Sequence, residues 1–268
     1  MTLNKNRNVN NHIAMIPKVI HYCWLSNDPY PDKIRKCMDT WKKVLPDYQI
    51  KLWNTENFDM SKAPAYVREA FEQRKWAFAS DYIRMYALYT EGGVYLDSDV
   101  KVLKSFDEFL NYKFFTSLEY HPKQIEMTGA MDMIDDKGNR IKDGFVSGIQ
   151  IQAAVMGSEA GCQFVKDVLD DYEKREFIYP EGSNGTGVIS PFVYARVMEK
   201  YGFKYLDKDQ PLEDNMMVFR SEIFAGNKYE ATPTSYAIHY CAHSWKRTPM
   251  EKLSRWLKRN IPCLFPKK

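Results

Sequence analysis

Apolar residues recur along the chain with two different spacings, and the order of these spacings predicts the fold. Short runs rich in β-branched and aromatic residues, which are typical of strands, lie at 16–24, 48–53, 94–96 and 114–118. Apolar residues also recur every three or four positions, as on one face of a helix, at 31–45, 64–71 and 78–91. This alternation predicts an α/β fold in which helices flank a mostly parallel sheet.

The second half of the chain has a less regular pattern. The polar, turn-rich stretch at 119–144 predicts a long loop, and a loop of this length inside a compact domain usually carries a function. A strand is predicted at 145–156, an amphipathic helix at 159–174, and a further helix from Ser190. The Gly-rich segment at 180–187, just before that last helix, lacks the Gly-Lys-Ser/Thr of a Walker phosphate loop.

The stretch at 78–100 is the one around which we expect the rest of the chain to be arranged. Asp81 and Arg84 lie three residues apart on the predicted helix, so their side chains project from one helix face. The pair Gly92-Gly93 ends that helix, because glycine tolerates the left-handed backbone of a helix cap. A short buried strand follows at 94–96.

Two carboxylates come directly after that strand. Asp97 and Asp99 are two residues apart, so in an extended chain their side chains point to the same side. Two like charges at this separation repel unless a cation lies between them, and hard oxygen ligands suit Mg²⁺ or Mn²⁺. Such ions keep some waters and take further ligands from the phosphates of a substrate. The pair therefore predicts a divalent metal site.

Other kinds of site also contain Asp-x-Asp. A calcium EF-hand loop beginning at Asp97 is excluded, because Lys101 replaces a ligand and Val102 stands where glycine is required. A phosphohydrolase with Asp97 as its nucleophile stays open, because an apolar strand precedes that residue, although Lys101 stands where we expect Thr or Val. A non-catalytic sugar-binding protein is the third alternative, and it would leave the carboxylate pair without a common purpose.

The whole stretch is more specific than its last three residues. Ala-Ser-Asp-x-x-Arg, followed after a gap by Gly-Gly-Val-Tyr-Leu-Asp-x-Asp, resembles the core of glycosyltransferase family 32 and of the related clostridial toxin glucosyltransferase domain. The resemblance implies a GT-A fold and a retaining transferase with a UDP- or GDP-linked sugar donor. It places Asp97 and Asp99 on the metal, the ribose and the diphosphate. It places Asp81 and Arg84 on the sugar hydroxyls and the phosphate, and we count Tyr95 in the same donor pocket.

Two segments outside this stretch share the resemblance. Ile-Pro-Lys-x-Ile-His-x-x-Trp matches the first strand of the family and implies that Trp24 lies near the nucleotide, where its ring can stack on the base. A Thr-Gly pair before a helix implies that Thr186 and Gly187 belong to the donor pocket. From the residues alone, a core tryptophan and a plain surface loop explain these segments nearly as well.

A histidine-rich segment near the end of the chain also resembles the closing motif of metal-dependent GT-A transferases. The resemblance implies that His239, at the end of a predicted strand, completes the metal shell, with His243 as the alternative. It also implies contacts between the donor diphosphate and Ser244, Trp245 and Lys246.

Composition limits the class of protein and divides the chain. At 268 residues with a net charge of +3, the chain can bury one core and shows no bias toward nucleic acid. The five cysteines form no Cys-x-x-Cys pair, which predicts a reducing compartment without a zinc site or a disulfide framework. No apolar run approaches the length of a membrane span, and the polar lead-in at 1–14 lacks the apolar core of a signal peptide. We therefore expect a cytoplasmic protein.

The catalytic domain is expected at 15–247 and a basic tail at 248–268. From Lys246 onward, eight basic residues accompany one acidic residue, and apolar positions including Trp256 fall on one helical face. A basic amphipathic helix with tryptophan is typical of peripheral membrane contact, and a helix packed on the core is the alternative.

The resulting hypothesis is a metal-dependent retaining glycosyltransferase. Its donor is a nucleotide sugar, and its acceptor is a glycan or a lipid-linked sugar that the loop at 119–144 faces. The process that we expect it to serve is surface (capsular) polysaccharide synthesis.

Overall fold

Strands and helices alternate through the described part of the chain, which comprises residues 15–26, 28–177 and 188–241 of the computed structural model. The helices are α1 (Asp32–Val44), α2 (Ala65–Glu72), α3 (Trp76–Glu91), α4 (Pro122–Thr128), α5 (Gln163–Glu173) and α6 (Ser190–Met198). The strands are β1 (Val19–Cys23), β2 (Gln49–Trp53), β3 (Gly93–Leu96), β4 (Val100–Val102), β5 (Phe114–Tyr120), β6 (Ile149–Ile151), β7 (Val155–Ser158), β8 (Gln210–Leu212), β9 (Met216–Phe219), β10 (Phe224–Ala225) and β11 (Ala237–His239). The predicted α/β class is confirmed.

The main sheet is mixed, but most of its strands share one direction. Its order is β2-β1-β3-β7-β5-β9-β8, with β6 paired to β5. Strands β2, β1 and β3 are parallel, and β7 runs antiparallel to both β3 and β5, so β5 and its parallel neighbour β9 point the same way as β3. The carboxyl ends of β1, β3 and β5 therefore meet at one edge, where open α/β sheets bind their ligands.

A small second sheet brings a distant part of the chain to that edge. Its order is β10-β11-β4, and β11 runs antiparallel to β4 with His239 opposite Val100. Because β4 begins one residue after Asp99, this pairing places the end of β11 beside the end of β3. Trp41 of α1 fixes the same corner, because its indole Nε1 donates to the Val100 carbonyl at 2.7 Å.

Both faces of the central strands are buried, as expected of a sheet with helices on each side. The core consists of two clusters of buried side chains, one on each face of the sheet. Side chains alternate across β3, so Val94 and Leu96 pack into the cluster that contains Trp41, whereas Tyr95 packs into the cluster that contains residues of α2, α3, α5 and α6. Helix α3 packs into the same cluster as Tyr95 and is capped by Gly92, whose φ of +67° favours glycine. The predicted helix, glycine break and buried strand are confirmed.

Two predictions for the second half are wrong. The stretch at 119–144 is not a continuous loop: β5 continues to Tyr120, and α4 follows, with Pro122 in its first turn and a left-handed cap at Gly129. The stretch at 145–156 contains two strands instead of one: β6 pairs with β5 as far as Ile151, and β7 pairs with β3 from Val155 and with β5 again at Gly157 and Ser158.

The predicted lead-in at 1–14, the Gly-rich segment at 180–187 and the basic tail at 248–268 lie outside the described residues. Among the helices of the described part, none is both long and apolar enough to cross a bilayer.

Candidate active site

The carboxylate pair lies on a tight turn at the carboxyl end of β3. The Val100 amide donates to the Asp97 carbonyl at 2.9 Å, and the Asp97 amide donates to the Ala154 carbonyl at 2.9 Å. The premise that Asp97 and Asp99 point the same way because the chain is extended is therefore wrong. The turn is what brings the two carboxylates together, and Ala154, next to the first residue of β7, anchors it to the sheet.

Asp97, Asp99 and His239 form a triad of possible metal ligands. One donor atom from each lies within 4.8 Å of the other two. His239 Nε2 is 3.3 Å from Asp99 Oδ1 and 3.8 Å from Asp97 Oδ2. Two carboxylate oxygens and one imidazole nitrogen on a partly exposed edge suit Mn²⁺ or Mg²⁺, because such a set leaves coordination positions for substrate oxygens. The residues present therefore fit the metal that the resemblance implies.

The two carboxylates also act electrostatically on the histidine. Burial by itself lowers the pKa of His239, but hydrogen bonds to Asp99 and to the Cys241 thiol raise that pKa well above its usual range. The Cys241 sulfur lies 3.4 Å from His239 Nδ1, which leaves Nε2 directed at the carboxylates. Negative charge is thus concentrated where the resemblance expects a cation.

A buried guanidinium links the triad to the predicted sugar-binding carboxylate. Arg84 Nη2 lies 3.0 Å from Asp81 Oδ1 and 3.4 Å from Asp97 Oδ1. Its Nη1 donates to the Ala153 carbonyl at 2.7 Å, and its side chain is only 5% exposed. The predicted face shared by Asp81 and Arg84 is confirmed. The guanidinium is held by protein acceptors, which makes it a support for Asp81 and Asp97.

Helix α6 supplies partners of Asp81 that the sequence analysis did not identify. Ser190 Oγ donates to Asp81 Oδ1 at 2.9 Å, and the Tyr194 hydroxyl donates to the Asp81 carbonyl at 3.0 Å. Burial raises the pKa of Asp81 to about 6, against the lowering effects of Arg84 and Ser190. The only local signal was the Ser-Pro pair at the predicted helix start, and it does not show that the two helices touch.

Tyr95 supports the triad from beneath. Its side chain is 1% exposed, its hydroxyl donates to Asp97 Oδ1 at 2.9 Å, and the Arg84 guanidinium lies 4.8 Å from its ring centre. Tyr95 is therefore buried under the site and acts on it by orienting Asp97 and Arg84.

We expect Tyr95→Phe to weaken manganese-dependent nucleotide binding by about tenfold, because losing a group that orients a metal ligand typically costs 10–100-fold in metal affinity. Isothermal titration of nucleotide in the presence of Mn²⁺ measures this. Tyr48→Phe is a matched control, because the Tyr48 hydroxyl also bonds a carboxylate, Asp107 at 2.8 Å, but lies beside the amino end of β2 at the opposite edge. Equal affinities for the two variants would contradict the role of Tyr95.

Trp24 lies directly after β1, at the same edge of the sheet as Asp97. Its ring packs against Tyr30 with centroids 4.8 Å apart, and its Nε1 donates to the Asp28 carbonyl at 2.9 Å. The side chain is partly buried and packs against the rim of the core cluster that contains Trp41. At this position Trp24 lies at the ligand-binding edge of the sheet, and its contact with the nucleotide base stays a prediction.

The remaining predicted site residues, Thr186, Gly187, His243, Ser244, Trp245 and Lys246, lie outside the described residues.

Comparison with known proteins identifies the segment that contains this site. Residues 31–115 match the family described as the glycosyltransferase sugar-binding region containing the DXD motif. A stretch of 105 residues is 31% identical to inositol phosphoceramide mannosyltransferase 3 of Schizosaccharomyces pombe, covering 38% of this chain and 29% of that enzyme. A stretch of 172 residues is 25% identical to the uncharacterized glycosyltransferase L373 of Acanthamoeba polyphaga mimivirus, covering 60% of this chain and 67% of that protein. The predicted resemblance to DXD-containing glycosyltransferases is confirmed.

Solved structures of glycosyltransferases resemble the fold at low identity. The PaToxG glycosyltransferase aligns with a TM-score of 0.48 and 17% identity, covering 69% of this chain and 70% of that one. The galactosyltransferase LgtC aligns with a TM-score of 0.43 and 13% identity, covering 93% and 97%. The chain spans less than a third of the length of the fission yeast mannosyltransferase that it matches.

Proposed function

We propose that this chain, which carries the DXD-containing sugar-binding region of glycosyltransferases at residues 31–115, transfers a sugar from a nucleotide-sugar donor with the help of a divalent metal. The observation that supports this best is the convergence of Asp97, Asp99 and His239, whose donor atoms lie within 4.8 Å of one another. They come from two separate sheets and meet at the edge where α/β proteins bind ligands.

The reaction needs positive charge at the leaving group. A nucleoside diphosphate departs readily only when its charge is neutralised, and Asp97, Asp99 and His239 would hold the Mn²⁺ or Mg²⁺ that would supply the positive charge. Arg84 helps to hold the Asp97 carboxylate in place, because its Nη2 lies 3.4 Å from Asp97 Oδ1. We include Lys246 as a further positive group on the diphosphate.

Asp81 is the proposed anchor for the donor sugar. Ser190 and Arg84 both contact its Oδ1, and among the described residues none donates a hydrogen bond to its Oδ2, which can therefore accept one from a sugar hydroxyl. With a pKa of about 6, the group is mainly ionised at neutral pH, so such a hydrogen bond is charge-assisted.

We propose that the anomeric configuration is retained. The described carboxylates at the site are engaged with Arg84, Tyr95 or the triad, so no side chain is assigned as a nucleophile. The bond from the anomeric carbon to the diphosphate oxygen breaks, and the acceptor oxygen bonds to that carbon on the same face. The hydroxyl proton passes to the departing diphosphate oxygen.

The phosphohydrolase alternative fits this geometry less well. Asp97 Oδ1 accepts a hydrogen bond from Tyr95 at 2.9 Å and lies 3.4 Å from Arg84 Nη2, and both contacts reduce the nucleophilicity of that oxygen.

The wider setting of the enzyme also belongs to this proposal. We propose a glycan or lipid-linked acceptor in surface polysaccharide synthesis, at the cytoplasmic face of a membrane that the tail at 248–268 contacts. Removing that tail should then reduce sedimentation with anionic liposomes, and unchanged sedimentation would count against the membrane contact.

Titration with UDP and GDP, each with and without Mn²⁺, tests the central claim. We expect Mn²⁺ to raise the affinity for one nucleotide by about tenfold or more. We also expect hydrolysis of at least one nucleotide sugar in a panel, and we expect EDTA to stop it. A covalent phosphoenzyme with release of inorganic phosphate would favour the hydrolase, and metal-independent binding of free sugar would favour a non-catalytic protein.

A further inference from the structure

A carboxylate and an imidazole lie at the carboxyl end of β5, outside the triad. His121 Nε2 is 3.7 Å from Glu119 Oε2, and Gln150 Nε2 donates to the same oxygen at 3.0 Å. The Glu119 side chain is 16% exposed and that of His121 is 36% exposed, so both are partly accessible to solvent. Because β5 points the same way as β3, this pair lies at the same edge as Asp97, with β7 between them.

A chain of contacts connects this pair to the metal triad. The Cys241 sulfur lies 3.4 Å from His239 Nδ1 and 3.5 Å from the Gly226 carbonyl oxygen. A Cβ atom added at Gly226 would lie 2.9 Å from Glu230 Oε2 and 3.9 Å from His121 Cε1. Glu119, His121 and Glu230, which we call the second carboxylate cluster, therefore continue the surface that begins at His239.

One buried side-chain amide oxygen near the two clusters accepts no hydrogen bond from the described residues. Gln152 is fully buried, its Nε2 donates to the Phe224 carbonyl, and its Oε1 accepts no hydrogen bond within the described part of the chain. It lies one residue beyond the end of β6, two residues after Gln150, and next to Ala153, whose carbonyl accepts a hydrogen bond from Arg84. A buried polar atom without a partner indicates a missing water or ligand group.

The charge of the second carboxylate cluster limits what it can bind. Neither Glu119 nor Glu230 has a lysine or arginine within ion-pair distance among the described residues, and Lys228 is directed at the Tyr229 ring. The hydrogen bond from Glu119 raises the pKa of His121, as does the charge of Glu230, against the effect of burial. Two carboxylates that share a single imidazole carry an excess of negative charge, so they accept hydrogen bonds from hydroxyls and repel phosphate or carboxylate groups.

We infer that Glu119 and His121, together with Glu230, form the acceptor subsite of the proposed transferase, and that this subsite takes an uncharged sugar in preference to a phosphorylated or uronic acid one. The inference rests on the proposed function and adds the class of acceptor. Glu119 accepts a hydrogen bond from a sugar hydroxyl that does not react, so no proton is transferred at this cluster. The reacting hydroxyl is thereby directed toward the triad, which lies at the same edge of the sheet.

The test compares acceptors on the full chain with Mn²⁺ and the nucleotide sugar that it hydrolyses. The neutral acceptors are the methyl glycosides of glucose, galactose and mannose, and the anionic ones are methyl glucuronide and mannose 6-phosphate. We expect transfer to a neutral glycoside to exceed transfer to its anionic counterpart by about tenfold or more, because like charges brought together in a binding site repel. Glu119→Gln should raise the acceptor KM by about tenfold, leave the donor KM unchanged and narrow the preference for neutral acceptors.

Glu126→Gln is the matched control, because it makes the same chemical change at an exposed position of α4. It should alter neither the acceptor KM, the donor KM nor the preference for neutral acceptors. Glu230→Gln provides a second test and should narrow the preference in the same direction. Three outcomes would overturn this inference and leave the proposed function intact. They are preferred use of an anionic acceptor, an unchanged acceptor preference in both Glu119→Gln and Glu230→Gln, and donor hydrolysis with no transfer to any neutral glycoside. Failure of the unaltered chain to turn over any nucleotide sugar would defeat the proposed function as well.

Discussion

Asp99→Asn is expected to reduce metal-dependent sugar transfer by more than about 100-fold, because even groups that only support a metal ligand cost 10–100-fold when removed. The substitution keeps the size of the side chain and removes the charge that lies 3.3 Å from His239 Nε2. Asp99 lies on a turn held by backbone hydrogen bonds, including one in which the Tyr240 amide donates to the Asp99 carbonyl at 3.2 Å. The fold should therefore persist. Initial rates measured across a range of Mn²⁺ concentrations give the result.

Asp39→Asn is the matched control, because Asp39 is an exposed carboxylate on α1 and belongs to neither the triad nor the second carboxylate cluster. It should leave the rate and its dependence on Mn²⁺ unchanged. If Asp99→Asn retains near-normal turnover at every Mn²⁺ concentration, the metal assignment is wrong.

Arg84→Met is expected to lower the free energy of unfolding by about 3–5 kcal/mol, because it leaves buried carboxylate charge without its partner. Arg84 Nη2 lies 3.0 Å from Asp81 Oδ1, and the side chains of both residues are less than a tenth exposed. Methionine replaces the guanidinium with an apolar side chain of similar length and supplies no compensating charge. Urea denaturation measures the change, and we expect activity to be lost at the same time.

The double variant Asp81→Asn with Arg84→Met separates the ion pair from simple packing. Removing both charges should recover part of the lost stability, because the penalty arises mainly from the unpaired carboxylate. Arg35→Met is the control: Arg35 pairs with Asp32 on the exposed surface of α1, and its loss should cost less than about 1 kcal/mol. If the double variant is as unstable as the sum of the single ones, the buried pair is not the source of the effect.

Much of the first half of the fold is predictable from local pattern. The helices that begin after Pro31 and Pro64 start at Asp32 and Ala65, and the strand expected at 94–96 is β3 with one residue added. These elements bury one face or both, so their apolar spacing carries the signal directly. Strands β8 to β10 are two to four residues long, and segments of this length contain too few positions to show a period.

The candidate site was predictable to a different extent for each residue. Asp81, Arg84, Asp97 and Asp99 lie within one continuous segment, which a family motif identifies, and His239 was assigned through its resemblance to a closing motif. Ser190 and Tyr194 had no such signal, because their contact with Asp81 spans more than 100 residues of chain. Glu119 and His121 fell in a stretch that was predicted to be a loop.

The amino-acid sequence by itself determined the alternation of helices and strands, the break at Gly92 and the chemical types of the groups at the end of β3. Local spacing decides these features, because each depends on residues within a few positions of one another. Only the tertiary structure decided that β11 pairs with β4 and so places His239 beside Asp99, that β7 lies between β3 and β5, and that Arg84 is buried between two carboxylates. The physical reason is that these contacts depend on strand pairing and desolvation between distant segments, which no local period encodes.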